Sequence, residues 1–514
     1  MRFALAFLLL SAQMDHQHAH DAGERLGTVA FPSSCNAAAQ PMLTRAVALL
    51  HSFWYEESEK TFRAAAAADP RCGIAWWGAA MTNYHQVWPT PYSPAELARG
   101  KEAAAKAKAV GAKTPREQAY IDAIALFFKD TDARAYEASM ESLARRFPDD
   151  DEAQIFYSLA LVNHGMAQAT DKTYAYQKRA AEILNGLLAK HPDHPGIAHY
   201  LIHSFDYPAL APLALDAAHA YAKIAPSSPH ALHMPSHIFV RLGMWQETID
   251  ANIASADAAR AYTARERPGS TSRDMLHAYD YLAYAYLQRG QDDRVRPLVE
   301  EIAAIRALDV ENFAGYYAVA AVPARFALER RRWADAAALT VKPESFPWER
   351  YAYAEAVTAF ARAMGAARGG DPARAGADAK RLQALRQKLI EQKNAYWADQ
   401  VEVQRRAAEG WIARAEGRND DALSHLRAAA DLEDSMDKSP VTPGSILPAR
   451  EMLGDLLLEL DQPAKALEAY EAVLKDSPHR LNALTGAARA AQMSGDRQKA
   501  SARYAELSAL LGVQ

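Results

Sequence analysis

The stretch PAREMLGDLLLELDQPAKALEAYEAVLKDSP, residues 448–478, decides how the rest of the chain is read. It carries a leucine–glycine pair, Leu453-Gly454, then a small residue at Ala466, an aromatic at Tyr470, an apolar residue at Val473 and a closing proline at Pro478. Glycine and alanine at those places let two antiparallel helices approach closely. The proline ends the second helix, because it has no N–H to donate and its ring clashes with the preceding turn. The segment therefore predicts a helical hairpin.

Spaced in this way, the residues resemble a tetratricopeptide repeat, whose unit is 34 residues long. Weaker copies recur upstream. ESEKTFRAAAAADP (57–70) places Phe62 before the same Asp-Pro punctuation, and AAHAYAKIAPSSP (217–229) holds Ala217, Tyr221, Ile224 and Pro229 in register with Ala466, Tyr470, Val473 and Pro478. Residues 408–432 turn at Gly417 and residues 276–302 at Gly290. Degenerate pairs fill 116–148, 151–190, 311–339 and 351–390, with longer loops expected at 87–96, 264–274, 341–350 and 438–445. No useful β-alternation appears. The expected fold is all-α: a right-handed superhelical solenoid of about ten antiparallel helix pairs over residues 39–514, with the first helix of each pair lining a concave groove. The phrases LLHSFWYEESEKTFRAAAAADP, GIAWWGAAMTNYH and PHALHMPSHIFVRLGMW also resemble a bacterial subgroup of exported tetratricopeptide proteins. That resemblance implies fold and export, and carries no activity.

The bulk numbers exclude several classes. A net charge of −5 over 514 residues provides no basic excess for nucleic acid. No apolar stretch approaches the roughly 20 residues that span a bilayer. At the N-terminus, Met1-Arg2, the apolar run Phe3–Leu10 and the small residues Ser11 and Ala12 read as a signal peptide over 1–13, so a periplasmic or secreted location is expected. Residues 14–38 form an extension in which His16, His18 and His20 alternate, a composition that captures copper or nickel. Cys35 should precede the first helix and Cys72 should follow the second. Antiparallel packing would bring them close enough to bridge, although two buried thiols fit the same positions.

The second reading concerns histidine. His230, His233 and His237 lie 13, 10 and 6 residues before the turn glycine Gly243, and the same offsets from Gly290 fall on His277, Asp280 and Tyr284. Steps of three and four keep the three histidines within an arc of about 60° on a helix. His199 and His203 lie one turn apart in the preceding repeat, with Asp206 after them. Pro235 interrupts the series and predicts either a cap or a kink. His51 and His85, 34 residues apart, take equivalent places in the first repeats, and His164 joins the candidates. Neutral imidazoles in such numbers suit copper, zinc, iron, nickel or haem, with Asp206 or Asp280 completing the shell or orienting a ring. The candidate ligands are His199, His203, Asp206, His230, His233, His237 and His277.

No Walker A, G-x-S-x-G or G-x-G-x-x-G element is present, and acid pairs such as Glu300-Glu301 fall where solvated helix ends are expected. Three classes of function follow. The main expectation is a periplasmic scaffold holding a protein or peptide in its groove. The alternatives are a metal- or haem-binding protein and an enzyme built on that metal. A scaffold should disperse its histidines among exposed aromatics and arginines. A metal site should bring at least three imidazole nitrogens within about 4–5 Å of one point.

Overall fold

The computed structural model describes residues 23–87 and 92–512. The expected signal peptide and His16, His18 and His20 lie outside those residues. Twenty-five α-helices and no β-strand occur among the described residues. Consecutive helices pack as twelve hairpins in a helical solenoid, where about ten were expected, with Pro229–His233 and Pro235–Arg241 together making one arm. Pro235 thus kinks a helix. Met234, between the two segments, keeps helical angles (φ −54°, ψ −37°), so the chain runs on through the kink.

The repeat chemistry behaves as its residue types require. Tyr470 packs its ring so close to Gly454 that a Cβ there would lie 2.9 Å from it, and one on Gly486 in the next hairpin would lie 2.4 Å away. The aromatic of one repeat thus fills the space left by two glycines. Ala466, Tyr470 and Val473 are buried, as the one-face spacing demands.

Cys35 and Cys72 form a disulfide, with Cα atoms 5.1 Å apart across a sequence separation of 37. It ties the segment before helix Ala39–His51 to the residue that precedes helix Gly73–Met81. Replacing both cysteines by serine is expected to cost about 3–4 kcal/mol in the chain-entropy account, read as a lower urea midpoint. An unchanged midpoint would count against the bridge as a stabilising element.

The array coils tightly enough for distant hairpins to meet. Arg273 reaches Glu56 at 3.0 Å, and the Trp245 indole donates to the His479 carbonyl at 3.0 Å. The loop 435–448, expected at 438–445 as a plain connection, folds inward over the concave face, where Val441, Thr442 and Ile446 are buried. Buried loop backbone needs partners. Arg325 supplies them, donating to the Ser445 and Gly444 carbonyls at 2.7 Å each while Asp280 accepts from its Nε at 2.7 Å. Asp280 is therefore committed to Arg325. The same loop brings Pro440 O to the Tyr281 hydroxyl (3.1 Å) and Lys438 to Asp206 (3.4 Å).

Candidate metal centre

Helices Pro195–Phe205, Pro229–His233, Pro235–Arg241 and Arg273–Gln288 are the first arms of three successive hairpins, and all turn histidines toward the interior. The i, i+4 spacings His199–His203 and His233–His237 place each pair one turn apart on one face. Coiling of the array then divides the six histidines into two triads. His199, His203 and His230 form one; His233, His237 and His277 form the other. Within each triad one ligand nitrogen per residue lies within 4.8 Å of the others. The triads abut: ring centroids are 6.0 Å apart for His203–His237 and 6.1 Å for His230–His233. The histidines of these first arms thus converge rather than disperse.

Which ring nitrogen carries the proton follows from the outer partners. His237 Nδ1 lies 3.0 Å from Asp206 Oδ2, and a carboxylate only accepts, so Nδ1 holds the hydrogen and Nε2 the lone pair. His233 Nδ1 lies 2.6 Å from Asn252 Oδ1. The Asn252 amide is fixed in that orientation because its Nδ2 donates to the Thr248 carbonyl at 2.8 Å. His233 is therefore also protonated on Nδ1. Its Nε2 nonetheless lies 3.0 Å from His237 Nε2, with the Tyr281 hydrogen directed to Pro440 O. Two lone pairs face one another there, with no hydrogen between them. In the first triad the outer partner fixes one ring: His199 Nδ1 donates to the His51 carbonyl at 2.6 Å, leaving its Nε2 lone pair 3.1 Å from His203 Nε2 and 3.2 Å from His230 Nε2.

Electrostatics keep these rings neutral. Burial pushes His199 and His277 down to about 3, against the hydrogen bond that His199 makes to His51. Burial likewise holds His203, His230 and His233 well below the usual histidine value. It also lowers His237, although Asp206 opposes the shift. Burial alone would raise the Asp206 carboxyl, but Lys438 and Arg241 outweigh it and hold Asp206 well below the ordinary carboxylate range. Arg241 donates to Asp206 Oδ1 at 2.8 Å. Asp206 is therefore an orienting residue behind His237.

A third group, His51, Glu152 and His194, has the opposite polarity. Both imidazole Nε2 atoms meet the Glu152 carboxylate, at 2.8 and 3.0 Å, and so both carry hydrogens. The Tyr200 hydroxyl contacts His51 Nδ1 at 2.9 Å, and Gly196 N donates to His194 Nδ1 at 3.1 Å. His51 and His194 hold the Glu152 carboxyl well below its ordinary range, against its burial. Every ligand atom is thus engaged in a hydrogen bond, and the group acts as a support: it fixes the His51 carbonyl that orients His199. Gly196 permits the close approach, since a Cβ there would lie 2.5 Å from the His51 ring.

The remaining candidates lie apart. His85 stacks on Tyr55 at 4.9 Å, and His164 pairs with Glu137 and stacks on Tyr176. Tyr284 contacts Arg480 at 3.3 Å. Sequence reasoning did not find Asn252, Arg241, Lys438, Glu152 or His194. Of these, His194 alone left a trace, as one of two histidines in HPDHPG just before the His199 helix.

No helix among the described residues is long and apolar enough to cross a membrane. The tetratricopeptide-like array is a helical-repeat solenoid. No protein-family model matches the sequence, and no curated protein is similar to it in sequence. Among solved structures, the chain is similar to the P58(IPK) TPR domain at 12% identity, covering 90% of this chain and 100% of that one with a TM-score of 0.24. It is similar to yeast Tom70 at 11% identity, covering 92% of each chain with a TM-score of 0.34. A third similarity is to a monomeric mutant of IFIT1 with m7Gppp-AAAA, at 11% identity over 85% of this chain and 90% of that one, with a TM-score of 0.35.

Proposed function

We propose that the protein is a helical-repeat metalloprotein whose two adjacent three-histidine triads each hold one transition-metal ion. One observation carries this reading: His233 and His237 each spend their only hydrogen on an outer oxygen and still direct bare Nε2 lone pairs at one another across 3.0 Å. Two neutral imidazoles gain nothing from that contact. A shared cation turns it into two bonds, since ligands 2.0–2.1 Å from one tetrahedral ion lie about 3.3–3.4 Å apart. Asp206, Asn252 and the His51 carbonyl then do what outer partners of metal-bound histidine do, fixing tautomer and ring direction.

An imidazole-only donor set suits copper, zinc, iron or nickel. Three nitrogens converging on one point favour an ion over haem, which offers only two axial positions. The peptide-scaffold reading has less support at these repeats, because the loop 435–448 and Phe53 already cover their concave face. The Cys35–Cys72 bridge supports placing the protein in an oxidising compartment such as the periplasm.

The test is stoichiometry. Untagged protein stripped with chelator and reloaded with Co(II), Zn(II) or Cu(I) is expected to bind two ions per chain by elemental analysis. His199→Ala and His237→Ala should each drop the count to one, and the double variant to none. Failure of the stripped protein to take up any of the three ions would sink the reading.

A further inference from the structure

A cavity of about 360 Å³ opens against both triads at once: its wall includes His230 from the first and His277 from the second. That volume suits a molecule built on a single ring. The cavity changes character with depth. Charged groups line it as well, five carboxylates (Glu56, Glu59, Glu96, Asp274 and Glu311) against three guanidiniums, of which Arg350 meets Glu311 at 3.1 Å and Arg273 meets Glu56 at 3.0 Å. Its buried end is aromatic, with Phe53, Phe313 and Tyr353 beside the two histidines.

Phe53 stands out for its backbone. The turn that hands a first helix to its second places one residue in the left-handed region, closed by a hydrogen bond from the next residue back into the helix: Trp54 N to Leu49 O, Met244 N to Phe239 O, Gln291 N to Tyr286 O. In five later hairpins that residue is glycine, at Gly243, Gly290, Gly370, Gly417 and Gly495, and in two it is Arg331 or Asp461. The first hairpin puts Phe53 there, at φ 52°. A bulky aromatic is disfavoured in this conformation, and its ring accounts for the choice. It lies 4.4 Å edge-on to His199 and nearly parallel to His203 and His230 at 5.8 and 5.5 Å. Phe53 therefore touches every imidazole of the first triad and also forms the cavity wall.

We propose that this cavity binds a small, uncharged aromatic molecule bearing an oxygen donor, of the phenol class, with the ring packed on Phe53 and the oxygen directed at the two triads. The inference rests on the metal-binding reading, under which three protein nitrogens leave each ion an open position for an exogenous oxygen. Aromatic walls favour a flat ring, the excess of carboxylates over guanidiniums in the lining disfavours an anion, and metal ions in the triads would disfavour a cation.

The experiment uses the Co(II)-loaded chain, its metal content fixed first by elemental analysis, titrated with 4-nitrophenol at a pH low enough to keep its hydroxyl protonated and, separately, with nitrobenzene. Saturable movement of the Co(II) visible bands by 4-nitrophenol, but not by nitrobenzene, is the expected result. Phe53→Gly supplies the residue other hairpins use at this turn, and with its metal content matched to the wild type by elemental analysis it should weaken 4-nitrophenol at least about tenfold. Tyr353→Leu, at a second wall position, should weaken it in the same direction. Protein that holds no metal would sink the metal-binding reading and this one together. Fully loaded protein whose bands do not move, or whose response is unchanged in both variants, would overturn the cavity assignment alone.

Discussion

Replacing Asp206 by alanine is expected to destabilise the metal-free protein by about 3–5 kcal/mol and to weaken metal binding at the His233–His237–His277 triad by roughly 10–100-fold. The two effects have separate causes. Asp206 is buried, and three positive or hydrogen-donating groups close on it: Arg241 at 2.8 Å, His237 at 3.0 Å and Lys438 at 3.4 Å. Removing the carboxylate strands a guanidinium and an ammonium away from water, and that uncompensated charge dominates the stability loss. Lys438 already feels this environment, since burial and the neighbouring Arg241 push it down to about 8 despite Asp206. The affinity effect arises at His237, whose Nδ1 would lose its acceptor and whose ring would no longer be held with Nε2 facing His233. Urea midpoints in excess chelator measure the first effect, and Co(II) competition titrations the second. Asp206→Asn separates them further: its amide oxygen can still accept from His237, so the affinity should recover in part while the stability does not. Equal affinity in the wild type and both variants would remove Asp206 from the centre.

Local patterning made the helices legible, and coiling hid most of the site. Leu453, Gly454, Ala466, Tyr470, Val473 and Pro478 specify a hairpin from side-chain size and spacing alone, and Gly454 meets Tyr470 as that spacing requires. The i, i+4 pairs His199–His203 and His233–His237 were readable for the same reason, because one turn of helix sets both members on one face. The division into triads was not readable. His230 lies closer in sequence to His233 but joins His199, because the kink at Pro235 and the stagger between hairpins decide which rings converge. The outer partners were further out of reach. Asn252 sits on the outer helix Trp245–Glu266, where asparagine ordinarily reads as solvated polarity. Lys438 lies in a Pro/Ser-rich loop whose composition predicts surface, and the inward fold depends on Arg325 supplying hydrogen bonds from well over a hundred residues away. The concave face was expected to be open because repeats considered one pair at a time leave it so. Only the coiled array shows that loop 435–448 folds over it at the repeats carrying Asp206, Tyr281 and Arg325.

Loading both triads is expected to raise the apparent stability by about 4 kcal/mol per site when free metal exceeds its dissociation constant a thousandfold, so the loaded and stripped proteins should differ by more than any single substitution achieves. The physical basis is the state of the stripped centre. Five neutral imidazoles are buried together with the half-buried His230, and at least the His233–His237 contact sets lone pair against lone pair. Without a cation the rings must turn, admit water or accept protons, and each choice loosens a part of the core shared by three hairpins. Binding removes that conflict only in the folded chain, because the unfolded chain does not assemble the triads, so binding free energy becomes folding free energy. The gain should be local. Hydrogen exchange should slow most across helices Pro195–Phe205, Pro235–Arg241 and Arg273–Gln288, and little in the last hairpin, Leu481–Ser494 with Arg497–Leu511, which contributes no ligand. His199→Ala with His237→Ala should abolish the gain while leaving exchange in that last hairpin untouched. Stabilisation spread evenly along the chain, or persisting in the double variant, would mean the ion acts somewhere other than the two triads.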